Sequence, residues 1–242
     1  MFLPRLIIVI IVTPVALAAC DRFPRDPRGS LEQVVQDGVL RVGAIESPPW
    51  VIREGDRATG VEGDLAMALA EELGVEIEWT WPGAERAFEA AHAADLHLVI
   101  GGVTDSNAWR SHVALSEPYF TEIIAIGTRS APPATADGLL VLTPEDPSLV
   151  EVARTLDAIA SAVRDPWSPG TPALAPVWQL QSHGLTPWPH LGTAERAHVW
   201  GVPPGENALL MRVERFLAEQ SDDVHRRLVR AAIEQDGSAT RP

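Results

Sequence analysis

The sequence predicts an α/β fold built on a mostly parallel sheet, and three observations carry that prediction. Helical and strand periodicities alternate from residue 31 to residue 100, glycines stand at the ends of the helical runs, and 46% of the residues are hydrophobic. Such an alternation favours a parallel sheet covered by helices, with ligands received at the carboxyl ends of the strands. Leu31, Val34 and Val35 sit at helical spacing before Gly38, a helix stop. Leu40, Val42 and Ala44 then alternate with their neighbours as a strand does. Asp64 stands before Leu65, Met67, Ala68 and Leu73, with Gly74 closing the run, which predicts a helix capped by Asp64. Val75 to Trp79 reads as a strand, Ala84 to Ala91 as a helix, and Leu96 to Ile100 as a strand running into Gly101-Gly102.

The first twenty residues read as a secretory leader. Arg5 supplies a positive start, Leu6 to Val12 an apolar run, and Ala18-Ala19 the small residues of a cleavage site. Pro14 and the brevity of the run argue against a spanning helix, which needs about 20 apolar residues. Cys20 is the only cysteine. Preceded by Leu17-Ala18-Ala19, it stands where a bacterial lipoprotein signal places the acylated residue. The expected organisation is therefore a lipoprotein signal peptide over 1–19, then the lipidated Cys20 and a tether over 20–30, where Pro24, Pro27 and Gly29 lie among charges. With no second cysteine an internal disulfide is impossible, so an apolar core must hold the exported domain together.

Charge excludes some partners. The formal net charge is -14, with 19 basic residues, all arginine. A surface of that sign is repelled by phosphate backbones and anionic lipid heads, so nucleic acid is not an expected partner and membrane contact is left to the lipid.

The stretches LEQVVQDGVLRVGAIESPPW, GVEGDLAMALAEELGVEIEW, LHLVIGGVT and ALSEPYF occur in that order between residues 31 and 120. Together they resemble the bacterial family 3 extracellular solute-binding proteins, whose pattern runs Gly-x-Leu-x-Val-Gly, Pro-Pro-aromatic, Gly-x-x-x-Asp-Leu, Gly-Gly-x-Thr and Phe-Ser-x-Pro-Tyr. The resemblance implies a two-lobed fold of the type II periplasmic-binding-protein kind, with two hinge crossings and a ligand cleft between lobes that close over it. Lobe 1 would begin with residues 31–127, a reduced lobe 2 would span 128–197, and the return crossing and C-terminal helices would fill 198–242. The outgoing crossing is expected at Glu122 to Thr128 and the return near His198 to Val202. Closing helices are expected over Glu206 to Leu217 and Asp222 to Ile233.

In the second lobe the likeness thins. The strand Leu139 to Leu142 leads into Thr143-Pro144-Glu145-Asp146-Pro147 and a helical run from Ser148 to Arg164. Where the family has a Gly-Ser or Gly-Thr turn gripping an anionic group, two carboxylates stand and would occupy the positive end of the helix dipole themselves. Residues 165–192 are rich in proline and turn residues and offer one helix, from about Pro172 to His183.

The resemblance also names candidate ligand contacts. Trp50, after Pro48-Pro49, matches the aromatic at the cleft edge, where a ring can stack on a ligand or meet an ammonium group; the alternative is a packing tryptophan. Thr104 matches the threonine after Gly-Gly, or is a turn residue bonded to its own backbone. The family's Thr-x-x-Arg grips a ligand carboxylate through a bidentate pair, but here Arg110 lies one residue further from the glycines and follows Trp109. Either Arg110 fills that role, or Trp109 faces the cleft and Arg110 is solvated. Tyr119 matches the Pro-Tyr element and is a cleft or hinge-packing residue. Trp79, Trp81, Trp167, Trp178, Trp188 and Trp200 are read as packing residues.

The expected role is a non-catalytic, lipid-anchored, monomeric binding protein, periplasmic on the inner membrane, or on the cell surface in a monoderm. It would capture a small polar metabolite, amino-acid-like or cationic, for an ABC-type permease. The altered Arg110 segment and the acidic turn weaken ordinary amino acids as the ligand. Neither cofactor nor metal is expected: His183, His190 and His198 lack the short pairings of metal sites, and no nucleophile elbow, P-loop or dinucleotide fingerprint is present. Glu117 and Glu122 are an odd number of residues apart and give no carboxylate dyad. Two other classes compete: an accessory or sensory partner protein needing no ligand, and an enzyme similar to cyclohexadienyl dehydratases.

Overall fold

The structure, a computed structural model, describes residues 26–239 except 168 and 169. The expected leader, Cys20 and the start of the tether lie outside the described residues. The first helix α1 (Ser30–Asp37) leads into β1 (Val39–Ala44), and a hairpin β2 (Ile52–Glu54) and β3 (Arg57–Thr59) precedes α2 (Gly60–Leu73). Then follow β4 (Glu76–Thr80), α3 (Ala84–Ala93), β5 (Leu98–Ile100) and β6 (Ala114–Leu115). The chain leaves this lobe along β7 (Phe120–Thr128). It continues through β8 (Leu140–Thr143), α4 (Pro147–Thr155), β9 (Ile159–Ala162), β10 (Ala173–Pro176), α5 (Val177–Ser182) and β11 (Thr186–Pro187). It returns by β12 (Thr193–His198) to β13 (Gly201–Val202) and ends in α6 (Asn207–Ala239).

Two sheets make the two lobes. The first has the order β4-β1-β5-β13-β6, and the second the order β11-β7-β10-β8-β9 with β12 added on β7. Strand β1 lies parallel between β4 and β5, as the β-α-β-α-β alternation predicts, and the returning β13 joins antiparallel. Leu40 and Val42 in β1, Leu65 and Leu69 in α2, and Leu98 and Ile100 in β5 are buried at 4% exposure or less and form the core of the first lobe. The crossings β7 and β12 pair antiparallel from Phe120 opposite His198 to Ala125 opposite Thr193, so both connections form one ribbon between the lobes.

Four elements differ from expectation. Helix α2 starts at Gly60 with Thr59 before it, so Asp64 is inside the helix and is not its cap. The start is set by the preceding loop: the Val61 and Glu62 N–H groups donate to the carbonyls of Pro49 and Trp50, supplying partners that a helix start otherwise lacks. Gly60 has φ +87°, and a Cβ there would lie 2.6 Å from the Pro49 oxygen. The predicted helix 148–164 stops at Thr155, because Asp157 adopts a left-handed conformation (φ 58°) and Ile159–Ala162 then pairs in parallel with β8. Pro172 to His183 likewise divides into strand β10 and helix α5, giving the second lobe six strands where few were expected. At the C-terminus one 33-residue helix replaces two. No glycine or proline lies between Leu217 and Asp222, and the Ser221 hydroxyl donates back to the Ala218 carbonyl without breaking the run.

Helix α6 packs on α1 and α2 of the first lobe and on α5 of the second. Val224 and Leu228, both fully buried, share an apolar cluster with Trp178 at the start of α5. The helix therefore braces both lobes from behind. The residues just before α1 are fastened to its start, since the Arg28 and Ser30 N–H groups donate to the Glu206 carboxylate at 3.1 and 3.0 Å.

Candidate functional site: the cleft at the strand crossings

A cleft of about 550 Å³ lies between the lobes, with the crossing strands along its floor. The first lobe contributes Ser47 to Trp50, Gly102, Thr104 and Ser106, and the second Pro144 to Asp146, Ser148, Trp178 and Gln179. Glu122, Arg196 and His198 come from the crossings. A second groove, of about 520 Å³, lies between the hairpin, the start of α2 and the far half of α6, away from the crossings.

Glu122 in β7 and Arg196 in β12 stand directly opposite each other in the ribbon. The Glu122 side chain is 1% exposed. A buried carboxylate costs several kcal/mol unless it is paired and hydrogen-bonded, and here every oxygen is used. Arg196 Nε and Nη2 approach Oε2 at 2.7 and 2.5 Å, and the Trp178 indole N–H donates to Oε1 at 2.9 Å. His198 Nε2 lies 3.5 Å from Oε2. Burial alone would push this carboxyl up, but hydrogen bonding to His198, the Arg196 charge and the Trp178 N–H outweigh it and hold Glu122 below the usual range.

Arg196 reaches on to the second lobe. Its Nη1 bonds Asp146 Oδ2 at 2.7 Å and the Ser148 hydroxyl at 2.6 Å. Asp146 is also the cap of α4, accepting from the Ser148 N–H at 2.9 Å, so the acidic turn fills its own helix start. Burial raises the Asp146 pKa, yet the Arg196 and Ser148 hydrogen bonds lower it further and leave it below the ordinary value.

The first-lobe wall is aromatic. The Trp50 ring lines the cleft and stacks on His198 with centroids 3.9 Å apart and planes 28° apart, so one face of the ring is covered by the protein itself. What holds Trp50 there is a set of contacts behind it. Glu62, fully buried in the first turn of α2, accepts the Gly101 and Gly102 N–H groups at Oε2 (2.5 and 3.0 Å) and the Tyr119 hydroxyl at Oε1 (2.5 Å). Gly102, at φ +67°, passes so close beneath the indole that a Cβ would lie 2.8 Å from its Cδ1.

Of the residues singled out from sequence, the cleft brings together Trp50 and Thr104. Thr104 bridges to His198 through the backbone, and its hydroxyl lies 3.3 Å from that of Ser106. Trp109 and Arg110 do not line it. The Asn107 side chain closes a turn, with its amide on the Thr104 carbonyl and its oxygen accepting the Trp109 N–H. The turn sends the Trp109 ring onto Phe88, 5.6 Å away and nearly parallel, and leaves Arg110 exposed. Tyr119 is 4% exposed behind the cleft and engages Glu62. Sequence reasoning placed the acidic turn with Asp146 at the ligand-gripping position but passed over Glu122, Arg196, His198 and Trp178 as cleft groups. Among the described residues no group of three or more His, Cys, Asp or Glu side chains is placed to hold a metal ion, and no helix is long and apolar enough to cross a membrane.

Comparisons with known proteins agree with this architecture. Residues 40–230 match the sequence model of the bacterial extracellular solute-binding proteins, family 3. An ancestral cationic amino acid solute-binding protein superposes with a TM-score of 0.66 at 18% identity, covering 83% of this chain and 99% of that one. The ligand-binding core of GluR0 in complex with L-glutamate gives 0.55 at 16% identity, covering 81% and 97%. At these identities the likeness speaks for the fold. In sequence, the arginine-binding extracellular protein ArtP of Bacillus subtilis is 28% identical over 108 residues, 43% of this chain and 42% of ArtP. Membrane-bound lytic murein transglycosylase F of Vibrio vulnificus is 38% identical over 74 residues, 31% of this chain and 14% of the transglycosylase. The chain thus spans less than half the length of each of these sequence relatives. With a match running through both lobes and both crossings, the chain belongs to the bacterial extracellular solute-binding proteins of family 3.

Proposed function

We propose that this protein is an extracytoplasmic solute receptor, lipid-anchored through Cys20, that captures a small polar metabolite, amino-acid-like or cationic, in the inter-lobe cleft and delivers it to an ABC-type permease. The observation that carries the reading is the cleft itself: an aromatic wall, hydroxyls and charged groups converge at the strand crossings, where lobe closure would enclose a ligand. A binding role is supported by the engagement of Glu122 and Asp146 with Arg196, Trp178 and Ser148, which leaves neither carboxylate free to move a proton.

The test is thermal unfolding of the full chain, purified in detergent, against amino acids, polyamines, small acids and sugars. A ligand at about a thousandfold excess over its Kd adds about 4 kcal/mol of stability and raises the midpoint by several degrees. A selective shift abolished in Trp50→Ala supports the receptor reading; silence across the panel refutes it.

One observation favours a second reading, a partner protein that needs no ligand. Arg196 is satisfied by the protein's own carboxylates and Trp50 is covered by His198, so two principal cleft groups are already engaged.

A further inference from the structure

We propose that the cleft selects a small organic cation without a carboxylate, such as a diamine or an alkylguanidine, over the amino acid that carries the same cationic group. The proposal rests on the ligand-binding reading above and adds the sign and the shape of the ligand.

An α-amino acid brings a carboxylate that needs a free cation or free N–H donors. Arg196 is the only guanidinium lining the cleft among the described residues, and all three of its nitrogens are engaged: Nε and Nη2 on Glu122, Nη1 on Asp146 and Ser148. The second-lobe helix start, another source of donors, is occupied by the Asp146 side chain. Arg110 lies outside on an exposed turn. A ligand carboxylate would therefore have to displace one of the protein's own from Arg196 while facing the others.

What the cleft offers instead is an excess of negative charge. Glu122, Glu145 and Asp146 put three carboxylates against one guanidinium, and Glu145 is exposed at the rim. His198 adds an independent observation. It is 2% exposed, and its Nδ1 is buried without a hydrogen-bond partner. Its Nε2 faces the Glu122 carboxylate, and its ring stacks on Trp50. An aromatic face beside surplus carboxylates suits N–H donors carried by a positive charge.

Matched pairs isolate the carboxylate: agmatine against arginine, cadaverine against lysine, putrescine against ornithine. Each is titrated into the full chain, with binding read by the fluorescence of Trp50 and Trp178, which both line the cleft, and by thermal shift. The expected result is that the decarboxylated member of at least one pair binds ten times more tightly or better. Glu145→Gln, at an exposed position, should weaken that cation several-fold. Asp146→Asn, which removes one of the carboxylate charges facing Arg196, should narrow the ratio by restoring affinity for the amino acid. If an amino acid binds as tightly as its decarboxylated partner in every pair, the selectivity is refuted and the receptor reading stands. If every pair and the broader panel are silent, both are refuted.

Discussion

Replacing Tyr119 by phenylalanine should destabilise the first lobe by about 2 kcal/mol, because it removes one donor from a carboxylate with no access to water. Glu62 is 0% exposed, and its Oε1 receives the Tyr119 hydroxyl at 2.5 Å while Oε2 receives two glycine N–H groups. Burial pushes the Glu62 pKa up against the pull of these donors. It also raises Tyr119, to which the adjacent Glu62 charge adds, so the phenol keeps its proton and donates. A hydrogen bond to a charged group is worth about 1.5–3 kcal/mol. Phenylalanine keeps the ring that packs edge-on against Trp50 and Trp200, so little packing is lost. For a domain of this size 1 kcal/mol moves the midpoint by about 2–4 °C. Thermal unfolding by circular dichroism should therefore show a fall of about 4–8 °C. The same measurement on Glu62→Gln and on the double variant completes a cycle whose coupling should exceed about 1 kcal/mol. A Tyr119→Phe midpoint within about 1 °C of wild type, or additive single effects, would refute the assignment of Glu62 as the anchor beneath the Trp50 loop.

Other perturbations test neighbouring links. His97, buried and bonded to Arg41, is pushed down to about 4 by burial and by the Arg41 charge, so the unfolded chain takes up its proton first. Acidification from pH 6.5 to 4 should thus remove on the order of 3 kcal/mol through this residue. Urea unfolding of His97→Gln should lose that component, while the depressed carboxyls of Glu122 and Asp146 and the raised one of Asp26 keep their own opposed contributions. Unchanged pH dependence in His97→Gln would overturn the assignment. Gly102→Ala should cost about 1–3 kcal/mol from its left-handed backbone and the contact with Trp50, and should shift tryptophan emission as the indole leaves His198; an unaltered spectrum and midpoint would count against the close approach. Cys20→Ala should abolish lipid labelling of the exported chain, and a variant that still incorporates labelled fatty acid would dismiss the anchor.

The first lobe was legible because its signals are local. Gly38 and Gly74 take left-handed conformations at the ends of α1 and α2, as helix-closing glycines do, and the apolar alternation of residues 40–44 lies in the buried centre of the sheet. The second lobe was not. Its strands β9 and β10 are IASA and ALAP, segments whose alanines suit a helix, and pairing with neighbouring strands overrides that preference. Asp64 misled for a different reason: a local cap pattern was present, but the start of α2 had been supplied with carbonyl partners from the Pro49-Trp50 loop.

The chemistry of the cleft depends on register, which a single sequence does not display. Glu122 and Arg196 are 74 residues apart and meet because β7 and β12 align with these two side chains opposite each other. One trace of this was present in the chain: Glu122 stands in FTEIIAIG, where its neighbours on the same strand face, Ile124 and Ile126, are fully buried. A carboxylate at a position whose period-2 neighbours are core residues must find a cation, since its burial is otherwise prohibitive. The family pattern already set both crossings side by side, so the search for that cation reduces to the few charged residues near the return. Arg196 is the arginine nearest His198 on that segment. The structure places Arg110, taken from a motif whose spacing this chain has changed, on an exposed turn outside the cleft. The buried charge carried the more dependable signal, because the cost of leaving it unpaired does not depend on which relatives the chain resembles.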